Sequence, residues 1–225
     1  MSHMAAAPLS PLDPLPGADP LSGLDPLSAH RPPLGLRERK KLKTRTAIRR
    51  AAYRLISEQG YDATTVERIA EAAEVSPSTV SRYFPAKEDI VLTDEYDLVM
   101  EEALRRRPPG EDPLESLRSV ITRAVAAHLE HEPERSRERA RLMVEVPAVR
   151  ARMTETMAGT SRSLSRVLAA RTGRGADDLE VRVFTAAVMG ALREALIYWA
   201  ERDQRDDLVA LVHRTLDALR GGPVL

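Results

Sequence analysis

Residues 44–92 contain three short helical patterns separated by two turns, and this arrangement constrains the fold more than any other feature of the chain. The turns fall at Gly60–Tyr61–Asp62 and at Val75–Ser76–Pro77. The third pattern covers about two helical turns and consists mainly of small, polar and basic residues. A buried core has little use for such a helix, whereas the major groove of DNA admits one helix and is read by short hydrogen-bond donors and acceptors.

The boundaries of the first two helices follow from spacing and turn chemistry. Apolar residues at intervals of three and four give the first helix one apolar face, and Gly60 ends it. The second helix begins after Thr64 or Thr65, because either hydroxyl can cap its first turn. It buries the apolar residues Val66, Ile69, Ala70 and Ala73.

The third helix is predicted to run from about Pro77 to Tyr83. Ser76 provides an N-cap, and proline suits the first helical position because it lacks an N–H to satisfy. Val80 and Phe84 are four residues apart and face inward. The remaining polar residues of this helix therefore face outward, and a fourth helix begins near Lys87.

In its order and spacing this segment resembles the DNA-binding domain of the TetR family of transcriptional repressors. The matching residues are Ala51–Ala52 with Leu55, Glu58–Gln59–Gly60–Tyr61, Thr64–Thr65–Val66, Ile69–Ala70, Val75–Ser76, Thr79–Val80, Tyr83–Phe84 and Lys87. Two outward positions depart from the family pattern: Ser78 stands where glycine is frequent, and Ser81 where tyrosine is usual. The base preference of a known family member therefore does not transfer to this chain.

Charge is concentrated ahead of the helix-turn-helix. The whole chain has 34 basic and 34 acidic residues, but residues 36–50 contain eight basic residues and one acidic residue, Glu38. A basic run beside a helix-turn-helix is the electrostatic footprint of a DNA-binding protein. A solvated charged face would explain the arginine-rich stretches elsewhere in the chain, but here the position of the run favours DNA binding.

The resemblance implies a division of roles among the polar residues. The third helix would enter the major groove, where short hydroxyls reach base edges or phosphates. The candidates for base contacts are Ser76, Pro77, Ser78, Thr79 and Ser81. The candidates for phosphate contacts are Thr65, Arg68, Arg82, Tyr83 and Lys87, together with Lys41, Lys43 and Arg45, which would lie along the backbone or reach into the minor groove. For Tyr83 the alternative is a partly buried core aromatic.

We expect three parts along the chain. Residues 1–35 form a disordered proline-rich tail, with Met1–Met4 as a cloning remnant and Asp-Pro-Leu repeated at residues 13, 19 and 25. Residues 36–92 form the helix-turn-helix DNA-binding domain, and residues 93–225 a helical ligand-binding and dimerisation domain. The predicted helices beyond the third cover 87–106, 113–131, 134–144, 147–171, 177–201 and 205–220, which gives an all-α fold of about nine helices without strands.

The C-terminal half contains candidate ligand-binding residues. Several methionines and aromatic residues fall on helices that should face one another: Met143, Met153, Met157, Phe184, Met189, Tyr198 and Trp199. Such a stripe suits an ordinary core, but also an adaptable apolar pocket of the kind in which the family holds its inducer. Residues 138–157 also resemble actinobacterial relatives that bind long-chain acyl-coenzyme A. There Arg139, Arg141, Arg150 and Arg152 would either meet phosphates or lie on exposed helix surface.

Several classes of function find no support in the sequence. The absence of cysteine excludes disulfides, thiol catalysis and zinc–thiolate sites. His128 and His131 have a chelating spacing but no evident third ligand, so we expect no metal and no cofactor. No catalytic motif is present, and no apolar run approaches the ~20 residues that span a bilayer. We therefore expect a cytoplasmic protein and no enzyme.

These observations favour a homodimeric repressor that binds a palindromic double-stranded DNA operator and is released by a small apolar ligand. A long-chain acyl-coenzyme A is one such ligand. Two alternatives remain open at this stage. The first is an activator or a ligand-independent regulator. The second is a small-molecule or acyl-coenzyme A carrier with a vestigial helix-turn-helix, which the basic run at 36–50 argues against.

Overall fold

The computed structural model describes residues 35–93 and 96–222. Apart from Gly35, the proline-rich segment predicted over residues 1–35 lies outside the described residues. Within the described ranges the chain is all-α and has no strand, which confirms the predicted fold class. The ten helices are α1 Leu36–Gln59, α2 Val66–Ala72, α3 Pro77–Tyr83, α4 Lys87–Leu92, α5 Tyr96–Arg105, α6 Pro113–His131, α7 Pro133–Glu145, α8 Pro147–Thr172, α9 Leu179–Glu201 and α10 Leu208–Gly221.

The prediction of one continuous helix over 87–106 is wrong, because α4 ends at Leu92 and α5 begins at Tyr96. Thr93 adopts an extended backbone conformation, with φ −84° and ψ 136°. Its amide donates to the carbonyl oxygen of Asp89 at 2.9 Å, and its hydroxyl donates to the same oxygen. Threonine is prone to such local hydrogen bonds, which compete with continuation of the helix.

The first four helices share a small core. The buried members are Ile48, Ala51, Ala52, Ile69, Ala70, Val80, Phe84 and Ile90. Thr65 rather than Thr64 caps α2, since its hydroxyl accepts from the Arg68 amide at 3.3 Å. Thr64 is instead fully buried, and its hydroxyl donates to the Gly60 carbonyl at 2.8 Å. Gly60 ends α1 with φ +85°, a backbone conformation that strains any residue with a Cβ.

A second core joins the helix-turn-helix to the C-terminal helices. Tyr53, Ile56 and Tyr61 pack with Val91 and Leu92 at the end of α4. Against them lie Leu142, Met143, Val149, Met153 and Ile197 from α7, α8 and α9. The predicted boundary at residue 92 therefore falls inside a continuous apolar cluster, which we call the junction cluster.

The largest core lies among α5, α6, α8, α9 and α10. By length and composition α9 is the one helix in the described ranges that is apolar enough to cross a membrane. Its apolar face is nevertheless packed against the neighbouring helices through residues such as Val188, Leu192 and Trp199. That is the behaviour of a core helix in a globular protein, so the hydropathy of α9 does not indicate a membrane span.

Candidate DNA-binding surface and ligand chamber

α3 presents a polar face outward and an apolar face inward. Val80 and Phe84 are buried to 0% and 2% exposure, as their spacing predicts. The Ser76 hydroxyl accepts from the Thr79 amide at 3.2 Å and so caps the helix. It also lies 2.9 Å from the hydroxyls of both Ser78 and Thr79. The predicted base-contact residues Ser76, Pro77, Ser78 and Ser81 are exposed, and Thr79 is partly exposed.

Two basic residues at or near α3, Arg82 and Lys87, differ in how many contacts they make within the protein. Arg82 is exposed, with its guanidinium carbon 5.3 Å from the centre of the half-buried Tyr83 ring. The Lys87 ammonium, in contrast, donates to the carbonyl oxygens of Tyr61 at 3.0 Å and Thr64 at 3.1 Å. It also lies 3.9 Å from the centre of the Tyr61 ring. Lys87 therefore fastens α4 to the turn before α2, and one N–H of its ammonium is left for any phosphate.

The two residues predicted to reach phosphate from α2 are both exposed. Thr65 uses its hydroxyl as the cap described above. The Arg68 guanidinium donates to the side-chain oxygen of Gln59 at 2.5 Å and to the Ala63 carbonyl at 3.3 Å. These contacts hold Arg68 along the surface beside the start of the helix, with further guanidinium N–H groups left to donate.

The N-terminal part of α1, residues 36–47, extends beyond the small core as a basic arm. Ile48 is the first buried residue of the helix, and Leu36 is 80% exposed. Lys41 and Lys43 are exposed, and the Arg45 guanidinium lies 4.8 Å from the centre of the Phe84 ring. A helix about 10–12 Å across does not fit a minor groove about 6 Å wide, so the arm itself suits the phosphate backbone.

Two tyrosines attach the helix-turn-helix to its neighbours. Burial raises the pKa of Tyr53, whose hydroxyl stays protonated and donates to the Val91 carbonyl at 3.1 Å. Burial and a hydrogen bond to Glu88 raise the pKa of Tyr61 far above its ordinary value. Its hydroxyl donates to the Glu88 carboxylate at 2.8 Å. Neither phenol ionises at physiological pH, so both hold α4 as hydrogen-bond donors.

Two ion pairs also cross from the helix-turn-helix to the C-terminal helices. Asp89, buried on α4, accepts from Arg152 on α8 through both carboxylate oxygens, at 2.7 and 3.0 Å. Arg49 on α1, only 3% exposed, pairs with Glu132 at 3.5 Å. Arg49 belongs to the basic run but is committed to this pair, which the sequence pattern did not reveal.

A chamber of about 180 Å³ lies among the C-terminal helices. Five of the seven predicted pocket residues line it: Met143, Met153, Met157, Met189 and Trp199. Phe184 and Tyr198 do not. Phe184 packs among core side chains, and Tyr198 is 41% exposed beneath the Arg202 guanidinium at 5.0 Å. Adjacent residues of a helix point in different directions, so Tyr198 faces outward because its neighbour Trp199 faces the interior.

The chamber also contains polar residues that the apolar pattern did not identify: His128, Ser136, Arg139, Thr156 and Thr160. The sequence could have indicated these polar residues, because they lie on the same helix faces as apolar lining residues such as Val125, Met153 and Met157. His131 is exposed, and its ring lies 2.8 Å from the Ala127 carbonyl, so the two histidines do not converge. No group of three metal-binding side chains occurs in the described ranges.

The arginines considered for acyl-coenzyme A phosphates mostly have acidic partners. Arg141 pairs with Glu138 at 2.6 Å and Glu145 at 2.7 Å. Arg150 pairs with Glu201 at 3.4 Å, and Arg152 is held by Asp89. Their carboxylates lie one helical turn away or on a neighbouring helix, so these guanidiniums are already neutralised. Arg139 alone of the four lines the chamber.

Comparison with known proteins agrees with this geometry. Residues 48–93 match the family described as bacterial regulatory proteins, tetR family, and residues 111–223 match the MftR C-terminal domain. The chain is 37% identical over 199 residues to the HTH-type transcriptional regulator TcmR of Streptomyces glaucescens, with 83% of this chain and 87% of that protein covered.

Solved structures give the same result. The regulator FadR of Bacillus subtilis, solved in complex with stearoyl-CoA, is 25% identical, with a TM-score of 0.52 over 79% of this chain and 98% of that one. The TetR family repressor FadR of Thermus thermophilus, solved with lauroyl-CoA, is 24% identical, with a TM-score of 0.52 over 80% and 95%. At that identity the second likeness concerns the fold alone.

Proposed function

Because the chain belongs to the TetR family of transcriptional regulators, we propose that it is a repressor that binds a palindromic operator as a homodimer and releases it when a ligand enters the chamber. The family consists of DNA-binding regulators rather than enzymes, and such a regulator acts in the cytoplasm, where DNA is found. The observation that carries the proposal is the polar outer face of α3 beside the basic arm of α1.

The DNA contacts divide by chemistry. The exposed hydroxyls at Ser76, Ser78 and Ser81 read base edges or phosphates in the major groove, since a hydroxyl both donates and accepts. Arg82 and the arm bind phosphate and position the helix without reading sequence. Binding of two copies to one palindrome requires their α3 helices to be about one DNA turn apart, or a multiple of it, ~34–36 Å.

Exposed apolar residues support a homodimer built on α9 and α10. Four of the five large hydrophobic residues exposed within the described ranges lie on these helices: Leu179, Val183, Tyr198 and Leu219. The larger apolar residues Leu208, Leu211, Val212 and Leu216 of α10 are buried in the core of the same chain. Hence α9 supplies most of the apolar surface that a two-fold contact would cover, and α10 contributes less than its sequence indicates.

The chamber is suited to control the DNA-binding helices because it shares a wall with the junction cluster. Leu92, Met143 and Met153 line the chamber and also pack in that cluster. The same cluster contains Tyr53 and Ile56 of α1. A ligand that displaces these shared side chains moves α4, and α4 rather than a helix over 87–106 acts as the lever. The two arrangements of α4 are the two states that allostery requires.

The expected ligand is largely apolar. Methionines and aliphatic residues dominate the chamber wall, and methionine repacks easily around different shapes. The chamber now has about the volume that holds one benzene-sized group, so a longer ligand must expand it. A long-chain acyl-coenzyme A is the first candidate to test, because the similar Bacillus subtilis regulator was solved in complex with stearoyl-CoA.

The test is operator titration of the full-length chain, first with genomic fragments to select the operator and then with candidate ligands. A typical coupling free energy of ~1–3 kcal/mol predicts operator affinity roughly 5- to 150-fold weaker with ligand bound. Compounds that raise the melting temperature without changing operator affinity would contradict release by ligand. Failure to select any DNA sequence would contradict the repressor itself.

A further inference from the structure

A groove of about 920 Å³ lies between α8 and α9 and adjoins the chamber. The two helices are antiparallel, since Arg193 donates to the Thr154 hydroxyl at 3.3 Å near one end and Val181 packs with Leu168 near the other. Met157 and Met189 line both the chamber and the groove. Two flexible side chains therefore form the wall between the chamber and the groove.

The groove is strongly basic. Its lining contains one acidic residue, Asp177, and four arginines: Arg162, Arg166, Arg182 and Arg193. Among the described residues none of the four has a carboxylate within ion-pair distance; Arg166 hydrogen-bonds to the Ser163 hydroxyl at 3.2 Å, and Arg193 to Thr154. The Nε of Arg193 is buried and makes no hydrogen bond. This contrasts with Arg150 and Arg152, earlier on α8, which both have carboxylate partners.

The arginines are distributed along the groove. Because the helices are antiparallel, Arg166 and Arg182 lie towards one end and Arg193 towards the other, beside Met157 and Met189. Arg182 and Arg193 are separated by three helical turns, about 16 Å along α9. A ligand with a single carboxylate can reach only one of these two guanidiniums. A ligand head group with several phosphates can reach the arginines at both ends of the groove. Arginine suits that role because its planar fork binds phosphate oxygens in pairs.

We propose that this groove binds the phosphorylated head group of an amphipathic ligand whose apolar part enters the chamber between Met157 and Met189. The inference rests on the proposed function, because it defines the class of ligand that the chamber takes. It also fits the volumes: the groove falls within the ~300–1,000 Å³ of small-molecule sites, and the chamber alone is smaller.

The chain provides its own probe for this binding. Trp199 is the only tryptophan, and it lines the chamber, so its fluorescence reports entry of the apolar part. The full-length protein is titrated with decanoyl-coenzyme A, with decanoate and with coenzyme A. We expect decanoyl-coenzyme A to bind at least about tenfold more tightly than decanoate, because only decanoyl-coenzyme A has phosphates that can contact the groove arginines.

The decisive variant is the double substitution Arg162→Gln with Arg182→Gln. The matched control, Arg137→Gln with Arg205→Gln, removes the same charge from exposed arginines outside the groove. We expect the groove variant to lose at least about tenfold in affinity for decanoyl-coenzyme A and to keep its affinity for decanoate. The double substitution Arg162→Lys with Arg182→Lys should lose less affinity than the glutamine variant. Lysine keeps the positive charge but lacks the planar guanidinium that binds phosphate oxygens in pairs.

Equal affinity of the wild-type protein for decanoyl-coenzyme A and decanoate would overturn the proposal, as would an equal loss in the groove and control variants. In either case, if decanoate still releases the operator, the proposed repressor mechanism is retained and only the groove proposal fails. Leu179 and Val183 line the groove and also belong to the proposed dimer contact. Sedimentation of each variant therefore accompanies the titration, and a loss of affinity that follows dissociation of the dimer also counts against the proposal.

Discussion

The basic arm of α1 and the helix α7 are both rich in basic residues but differ in how those charges are balanced. On α7, Arg137 pairs with Glu134 at 3.0 Å, and Arg141 pairs with glutamates three and four residues away. The arm contains one acidic residue, Glu38, among its basic ones. Arg137 and Arg141 of α7 therefore form neutral helix surface, whereas the single glutamate of the arm leaves it with a net positive charge that can attract a partner.

The largest expected effect comes from removing positive charge from the basic arm. Replacing Lys40, Lys41 and Lys43 with glutamine should weaken operator binding at least about a hundredfold at 0.1 M salt. The slope of log K against log salt should become shallower by about 5 per dimer, because each phosphate contact contributes ~0.9. Operator titrations between 50 and 200 mM salt measure both quantities.

The matched control removes three charges that have partners. Arg137→Gln, Arg141→Gln and Arg150→Gln together should change operator affinity less than about twofold and leave the salt slope unchanged, since these arginines are paired on the surface. An equal loss in both triple variants would show that net charge, rather than position, governs binding.

The second prediction concerns the pair between the buried Asp89 on α4 and the partly exposed Arg152 on α8. Asp89→Asn should lower the free energy of unfolding by about 2 kcal/mol, because the buried carboxylate loses its charge-assisted hydrogen bonds with Arg152. The melting temperature should fall by roughly 4–8 °C. Glu155→Gln removes the other, 68% exposed partner of Arg152 and should cost less than about 1 kcal/mol. If the two variants melt alike, the pair does not fasten α4.

The third prediction separates two basic residues that the family resemblance treats alike. Lys87→Met should lower stability by about 2 kcal/mol, because the ammonium loses two carbonyl acceptors and the Tyr61 ring. Arg82→Ala should cost less than about 1 kcal/mol of stability but weaken all DNA sequences about tenfold. Thermal unfolding and operator titration of both variants test this. A stability loss for Arg82→Ala with a DNA-binding loss for Lys87→Met would contradict the assigned roles.

The smallest change is expected in sequence preference rather than affinity. Ser81→Tyr restores the usual family residue at an exposed, uncharged position of α3. It should alter the base selected at one position of each half-site, by about 1–3 kcal/mol of discrimination, while leaving the salt slope unchanged. Selection from random DNA with each protein measures this. An unchanged motif would place Ser81 away from the groove.

The bounds of α3 and its inward and outward faces could be inferred from sequence because their signals are local. The cap at Ser76, the proline at 77 and the four-residue interval between Val80 and Phe84 are short-range features, and each is found as expected. The chamber was partly predictable for the same reason, since helical spacing brings Met153 and Met157 to one face. The break at Thr93 was missed because it depends on the extended backbone conformation of one residue, which apolar periodicity does not report.

The sequence by itself determined the all-α fold, the inward and outward faces of α3 and the position of the basic run. These depend on periodicity, capping and composition, which act over a few residues. Only the tertiary structure decided which charges have partners. Arg49 pairs with Glu132, Arg152 pairs with Asp89, and Lys87 donates to two carbonyls. The four groove arginines have no carboxylate of the described residues within ion-pair distance. The reason is physical: an ion pair depends on a separation of a few ångströms, and residues 63 or 83 positions apart reach that separation only when helices pack.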